Sequence, residues 1–195
     1  MKIIFICGLG GDAGMTYVDS LRSFCIEHGH QFYAPKMPSF EDGITYDKYK
    51  SSFNNLIESE KFSDFNDCII IAQSAGTNFI VKYFSENPLN ICGYISCAGF
   101  RNPADKKISN ETKETLKVLD TFYPSKADYK NFKKLKFKKF SIFGGKDCFF
   151  TKRNLKKYAR AIGSVEVFDK NGLHGTISEN VQTHSFLHKV LDQNF

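Results

Sequence analysis

A chain of 195 residues that is 42% hydrophobic is long enough for one well-cored domain and short for two. Its 27 Lys+Arg against 21 Asp+Glu leave a net charge of +6, less than a dedicated nucleic-acid binder carries. No apolar run reaches the roughly 18 residues of a membrane span, and the start MKIIFICGLGG lacks a signal h-region and cleavage site; the expectation is a soluble, cytoplasmic protein.

Taken in chain order, short β-like runs alternate with helical patterns. Lys2–Cys7 reads as a strand and is followed by a helix over Thr16–His28, with Val18, Leu21 and Cys25 on one face. A strand at Gln31–Ala34 leads to a helix at Tyr46–Glu60, which carries Tyr49, Phe53 and Leu56. Strands at Asp67–Ala72 and Ile91–Cys97 enclose a helix at Ala75–Ser85. After a long gap come a strand at Phe137–Phe143, a helix at Arg153–Ile162, a strand at Val165–Phe168 and a last helix at Ile177–Leu191. Such alternation predicts an α/β fold: a doubly wound, mostly parallel six-stranded sheet with helices on both faces, in one domain spanning 1–195. Binding sites of such sheets lie at the carboxyl ends of the strands.

One connection breaks the rhythm. Residues 100–135 contain no strand pattern; a helix beginning at Ser109 or Asn110 runs through Leu116, Leu119 and Phe122, and an aromatic stretch with Tyr123, Tyr129 and Phe132 follows. Long excursions in compact domains are often functional lids, so this segment is a candidate cap.

The chemistry starts at IIIAQSAGT, residues 69–77. An apolar strand stops at Ser74 among small residues and a helix begins at once, which is what a nucleophile elbow needs: the turn is sharp, and bulky side chains two positions away would clash. A serine hydroxyl attacks only when a histidine base, held by a carboxylate, takes its proton and amide donors receive the oxyanion. In parallel α/β hydrolases these parts follow in the order Ser, acid, His, each past a strand end. Asp147 follows FKKFSIFGG and His174 stands in NGLHG after VEVFD, so order and placement agree. The loop Gly8-Leu9-Gly10-Gly11 after the first strand offers the Leu9 amide as one oxyanion donor, and the Ala75 amide at a helix N-terminus is the other.

FICGLGGDAG, IIIAQSAGT, SIFGGKDCF and NGLHG, in this order, resemble the oxyanion loop, elbow, acid loop and histidine loop of the α/β-hydrolase superfamily. Small size and first-loop pattern make the chain most similar to the compact serine hydrolases related to retinoblastoma-binding protein nine and to YdeN. The resemblance implies a minimal α/β-hydrolase fold with a short cap, a catalytic triad of Ser74, Asp147 and His174, and acyl-ester hydrolysis without a cofactor; thioester or amide cleavage is the variant chemistry. Cys7, Ala72 and Gln73 depart from the usual residues of the first loop and elbow. Substrate-lining residues are expected to be Gly10, Gln73, Phe100, Phe122, Tyr123, Phe149 and Phe150, which favour an apolar or aromatic acyl group on a small-molecule substrate.

Rival readings attach to particular residues. Ser74 would serve equally as an ordinary helix N-cap, and Asp147 as an acid before the helix that starts near Thr151. Gly8-x-Gly10-x-x-Ala13 fits a dinucleotide fingerprint, which would make an oxidoreductase; against it, Tyr33-Ala34-Pro35-Lys36 offers no ribose-binding acid and Asp12 would face a pyrophosphate. The basic stretch Lys133–Lys139, with Lys152, Arg153, Lys156, Lys157 and Arg160, would suit an acidic carrier protein if the chain were a non-catalytic interaction protein, although most charge runs are solvated faces. His184 and His188 have the i, i+4 spacing of a metal pair but no third ligand nearby, so no metal is expected. The six cysteines show no C-x-x-C spacing and are expected to behave as reduced core residues.

Overall fold

A computed structural model describes residues 1–11, 16–62, 64–101, 113–174 and 184–195. Six strands form the sheet: β1 (Lys2–Ile6), β2 (Gln31–Tyr33), β3 (Cys68–Gln73), β4 (Gly93–Cys97), β5 (Lys138–Gly144) and β6 (Val165–Asp169). Their order is β2-β1-β3-β4-β5-β6 and every pairing is parallel. The helices are α1 (Thr16–Glu27), α2 (Tyr46–Ser59), α3 (Ala75–Glu86), α4 (Lys113–Phe122), α5 (Lys126–Lys134), α6 (Lys152–Ile162) and α7 (His184–Asn194).

Consecutive residues of a strand point to opposite faces of the sheet. Every residue of β3 and β4 is buried, so both faces are covered, which is why Ile69-Ile70-Ile71 is an unbroken apolar run instead of an alternating one. On one face α3 packs against α2, α4 and α5, and α5 against α6. On the other, Phe24 of α1 stacks on His188 of α7 with ring centroids 3.5 Å apart. Tyr49, Phe53 and Phe79 are fully buried and meet edge to face across α2 and α3, adding to the burial term the pair attraction of aromatic edges and faces.

The chain leaves β1 for β2 on one side and returns to β3 on the other. A cleft therefore opens between the loops after β1 and β3, the topological switch point where doubly wound sheets bind ligands.

Several expectations are refined. The segment 100–135 is not cap throughout: α5 packs on α3 and α6, burying Tyr129 and Phe132, whereas among the described residues Phe100 and α4 border the cleft. The signal for α5 was present, because Ser125 and Asp128 form a capping box in which Ser125 Oγ accepts from the Asp128 amide and Asp128 accepts from the Ser125 amide. Asp12, Ala13, Ser109, Asn110 and residues 177–183 of the expected last helix lie outside the described residues. All six cysteines are free and four of them are buried. Burial pushes the Cys25 and Cys97 thiols up to about 12, which leaves them unreactive. Cys148, by contrast, is exposed.

Gly144, the last residue of β5, is a point of enforced closeness. A Cβ there would stand 2.1 Å from the carbonyl oxygen of Gly172, in a place where the two loops are stitched by Gly145 N–H donating to Asp169 O at 2.7 Å and Lys146 N–H to Gly172 O at 2.9 Å. Gly144→Ala is expected to force those loops apart and to destabilise by about 1–3 kcal/mol, read as a lower urea midpoint together with lost activity.

Candidate active site

Ser74 lies between the end of β3 and the start of α3, at φ +50° and ψ −124°. A non-glycine residue in this region is strained and persists only where its surroundings over-determine it. They do so here: the Ser74 amide donates to Cys97 O at 2.9 Å and the Thr77 amide donates to Ser74 O at 3.0 Å. Small neighbours are needed for the turn to approach β1. A Cβ on Gly76 would lie 2.5 Å from Cys7 O and 2.8 Å from Ile6 O, and one on Gly8 would lie 2.9 Å from the Ser74 Cβ. Ala72, where a glycine was expected, is fully buried between Ile6 and Ser96 in the ladder, so its methyl group is accommodated. Although Ser74 precedes the helix, its side chain makes no capping hydrogen bond; the hydroxyl is directed elsewhere.

It is directed at His174. Ser74 Oγ and His174 Nε2 are 3.0 Å apart, and His174 Nδ1 is 2.9 Å from Asp147 Oδ2. Asp147 is 2% exposed, and its other oxygen, Oδ1, accepts from the amides of Phe149 and Phe150 at 2.8 and 2.9 Å. Burial pushes the Asp147 carboxyl up, but the hydrogen bond and charge of His174 and the amides of Phe150 and Phe149 outweigh it and hold the group below the usual carboxylate range. An ionised carboxylate only accepts, so His174 Nδ1 carries the hydrogen and donates it. That leaves Nε2 as the acceptor for the Ser74 hydroxyl. Helix α6 is capped by Thr151, whose side chain accepts from the Asn154 amide, so Asp147 has no capping role there.

The loop after β1 runs alongside Ser74. Its Gly8 carbonyl accepts from the buried Tyr49 hydroxyl at 2.9 Å, which anchors the loop to α2. Leu9 and Ala75 both line the cavity in front of Ser74. Among the described residues neither backbone amide donates to a protein acceptor, and that of Ala75 belongs to the first turn of α3, where helical amides have no partner within the helix. Tyr49→Phe keeps the ring contacts with Phe79 and Phe122 and deletes only the hydroxyl. It is expected to lower stability by about 1–2 kcal/mol and to slow turnover, checked by urea denaturation and steady-state rates.

The cavity is about 280 Å³. Of the residues expected to line it, Gln73, Phe100, Phe149 and Phe150 do so; Phe100 and Phe150 stack at 4.1 Å and Phe149 leans on the His174 ring at 4.6 Å. Phe122 does not: it is fully buried against Tyr49, because its helix turns that face toward α2. Tyr123 packs behind Phe100 instead of on the wall. Gly10 stands beside the Phe40 ring, which would meet a Cβ there at 2.4 Å, and lies off the wall. Gly8, Gly11, Tyr17, Phe40, Thr115 and Leu119 also line it and were not expected there. Phe40 carried a visible signal, a lone aromatic in a polar loop that stays 57% exposed.

A parallel sheet with a strained serine after β3 and facing loops after β5 and β6 defines the α/β-hydrolase fold. Among solved structures the chain is similar to the ydeN gene product from B. subtilis, with a TM-score of 0.79 and 17% identity over 100% of this chain and 98% of that one. It is also similar to Est1E from Butyrivibrio proteoclasticus, with a TM-score of 0.72 and 12% identity over 98% and 87% of the two chains. The α/β-hydrolase domain-containing protein 10 from mouse is a third, at 0.70 and 14% over 98% and 88%. No protein-family profile and no curated protein sequence matches the chain.

Proposed function

We propose that the chain is a serine hydrolase that cleaves small acyl esters through an acyl-enzyme, with Ser74 as nucleophile, His174 as base and Asp147 as the acid that orients it. The observation that carries this reading is the unbroken hydrogen-bond series from Ser74 Oγ through His174 to the buried Asp147 carboxylate. Ser74 Oγ attacks the ester carbonyl carbon as Nε2 of His174 takes its proton, and the carbonyl oxygen, now an oxyanion, is received by the Leu9 and Ala75 amides. His174 then protonates the departing alkoxide. Water, deprotonated by the same imidazole, attacks the Ser74 ester and releases the carboxylic acid.

Aromatic walls and a volume of about 280 Å³ fit an apolar or aromatic acyl group of modest size. Est1E, similar in fold, has been solved with ferulic acid bound, an aromatic acid of that kind. The dinucleotide reading is disfavoured because the glycines have other work: Gly8 lies against Ser74 and Gly10 beside the Phe40 ring. A basic docking face is also weakened, since Lys139 is buried with its ammonium on the Phe137 and Leu135 carbonyls, and Lys156 and Arg160 face Glu166. No helix among the described residues is long and apolar enough to cross a membrane, and free thiols suit a reducing compartment; we place the protein in the cytoplasm.

A fluorophosphonate probe tests the assignment. It is expected to add to Ser74, located by peptide mass spectrometry, and to leave Ser74→Ala unlabelled. Labelling that survives that substitution would overturn the proposal.

A further inference from the structure

We propose that Gln73 is a specificity residue of this site and selects esters carrying an oxygen acceptor two or three bonds beyond the scissile carbonyl carbon; this rests on the hydrolase reading above. Gln73 ends β3, next in the chain to Ser74, and lines the cavity. It is 9% exposed. Tyr17 Oη donates to its Oε1 at 3.0 Å, which orients the amide and leaves Nε2 as the group with donors to offer. Among the described residues Nε2 donates to no protein acceptor, and it is not fully buried.

Much of the rest of the wall is apolar, with Leu9, Phe40, Phe100, Leu119 and Phe149, beside the hydroxyl-bearing Tyr17 and Thr115. An amide donor in such surroundings is satisfied by water when the site is empty. A bound alkyl chain displaces that water without replacing its hydrogen bond, whereas an ether, ketone or hydroxyl oxygen replaces it. Because residue 73 adjoins the nucleophile and its backbone is held in the β3–β4 ladder opposite Cys97, the donor serves only atoms close to the reacting carbonyl. An oxygen at the far end of a long chain gains nothing from it.

The experiment compares matched p-nitrophenyl esters: methoxyacetate with butanoate, and 3-methoxypropanoate with pentanoate, in wild type and in Gln73→Leu. Each kcat/KM is scaled to the fraction of Ser74 that a fluorophosphonate titrates, and taking the ether-to-alkyl ratio between the two proteins cancels the intrinsic reactivity of the ethers. The ratio is expected to fall about fivefold in the variant, the weight of one neutral hydrogen bond. Tyr17→Phe, which unfixes the Gln73 amide, should lower it in the same direction. If Gln73→Leu misfolds, the unbranched Gln73→Met supports the same comparison. An unchanged ratio in an active variant overturns this inference and leaves ester hydrolysis standing. Absence of hydrolysis of all four esters by wild type overturns the hydrolase reading and this inference with it.

Discussion

Ser74→Ala is expected to lower kcat for a p-nitrophenyl ester by about a millionfold, with the circular dichroism spectrum and urea midpoint close to wild type. The loss is this large because in the proposed mechanism nucleophile and base act as one unit. Without Oγ there is no acyl-enzyme, and the imidazole 3.0 Å away has no hydroxyl to deprotonate. For the same reason His174→Ala should cost about as much, and the double variant little more than either single one. Alanine tolerates the φ of +50° at residue 74 no worse than serine does, so the fold should be kept. Additive losses in the double variant would show that the two side chains do not work in series, and the mechanism would fail.

Asp147→Asn is expected to reduce kcat about ten-thousandfold, and the structure explains why so conservative a change matters. The oxygen that accepts from the Phe149 and Phe150 amides must remain an oxygen. The NH2 of the new side chain is therefore left facing His174 Nδ1, in the place of Oδ2. Two donors cannot face each other, so the hydrogen of the imidazole moves to Nε2, which can no longer accept from Ser74. The substitution also alters acid stability. The folded Asp147 carboxyl lies below its ordinary value, so it contributes stability that is fully present above the unfolded value of about 4 and is lost as pH falls through the folded one. Urea midpoints measured downward from neutral pH should fall less steeply below about pH 4 in Asp147→Asn than in wild type. A parallel fall in both proteins would mean the native carboxylate is not held below its unfolded value.

Much of this architecture is local in origin. Ile69-Ile70-Ile71, flanked by turn residues, has no reading as an exposed segment, and the six strands expected from such runs are the six found, within a residue or two at each end. Small residues at 72, 75 and 76 mark a tight strand-to-helix turn whatever surrounds it. Glycines at 144, 145 and 172 mark loops that must come close. Helix α5 was not among the expected helices, although its Ser125–Asp128 capping box marked its start; its aromatic residues suggested a lid when they serve the core against α3 and α6.

What the sequence by itself determined is thus the alternation of strands and helices, the order of serine, carboxylate and histidine along it, and their positions past strand ends, because each depends on residues within a few positions. Only the tertiary structure decided which aromatic rings reach the cavity. Phe122 and Leu119 share one helix, yet one is packed on Tyr49 and the other lines the cavity, since the rotation of α4 is set by long-range packing. Tyr17 meets Gln73 across 56 positions of chain, and Phe40 lies beside Gly10 from a separate loop. No local pattern encodes such pairings; they arise when distant segments compete to fill the same space.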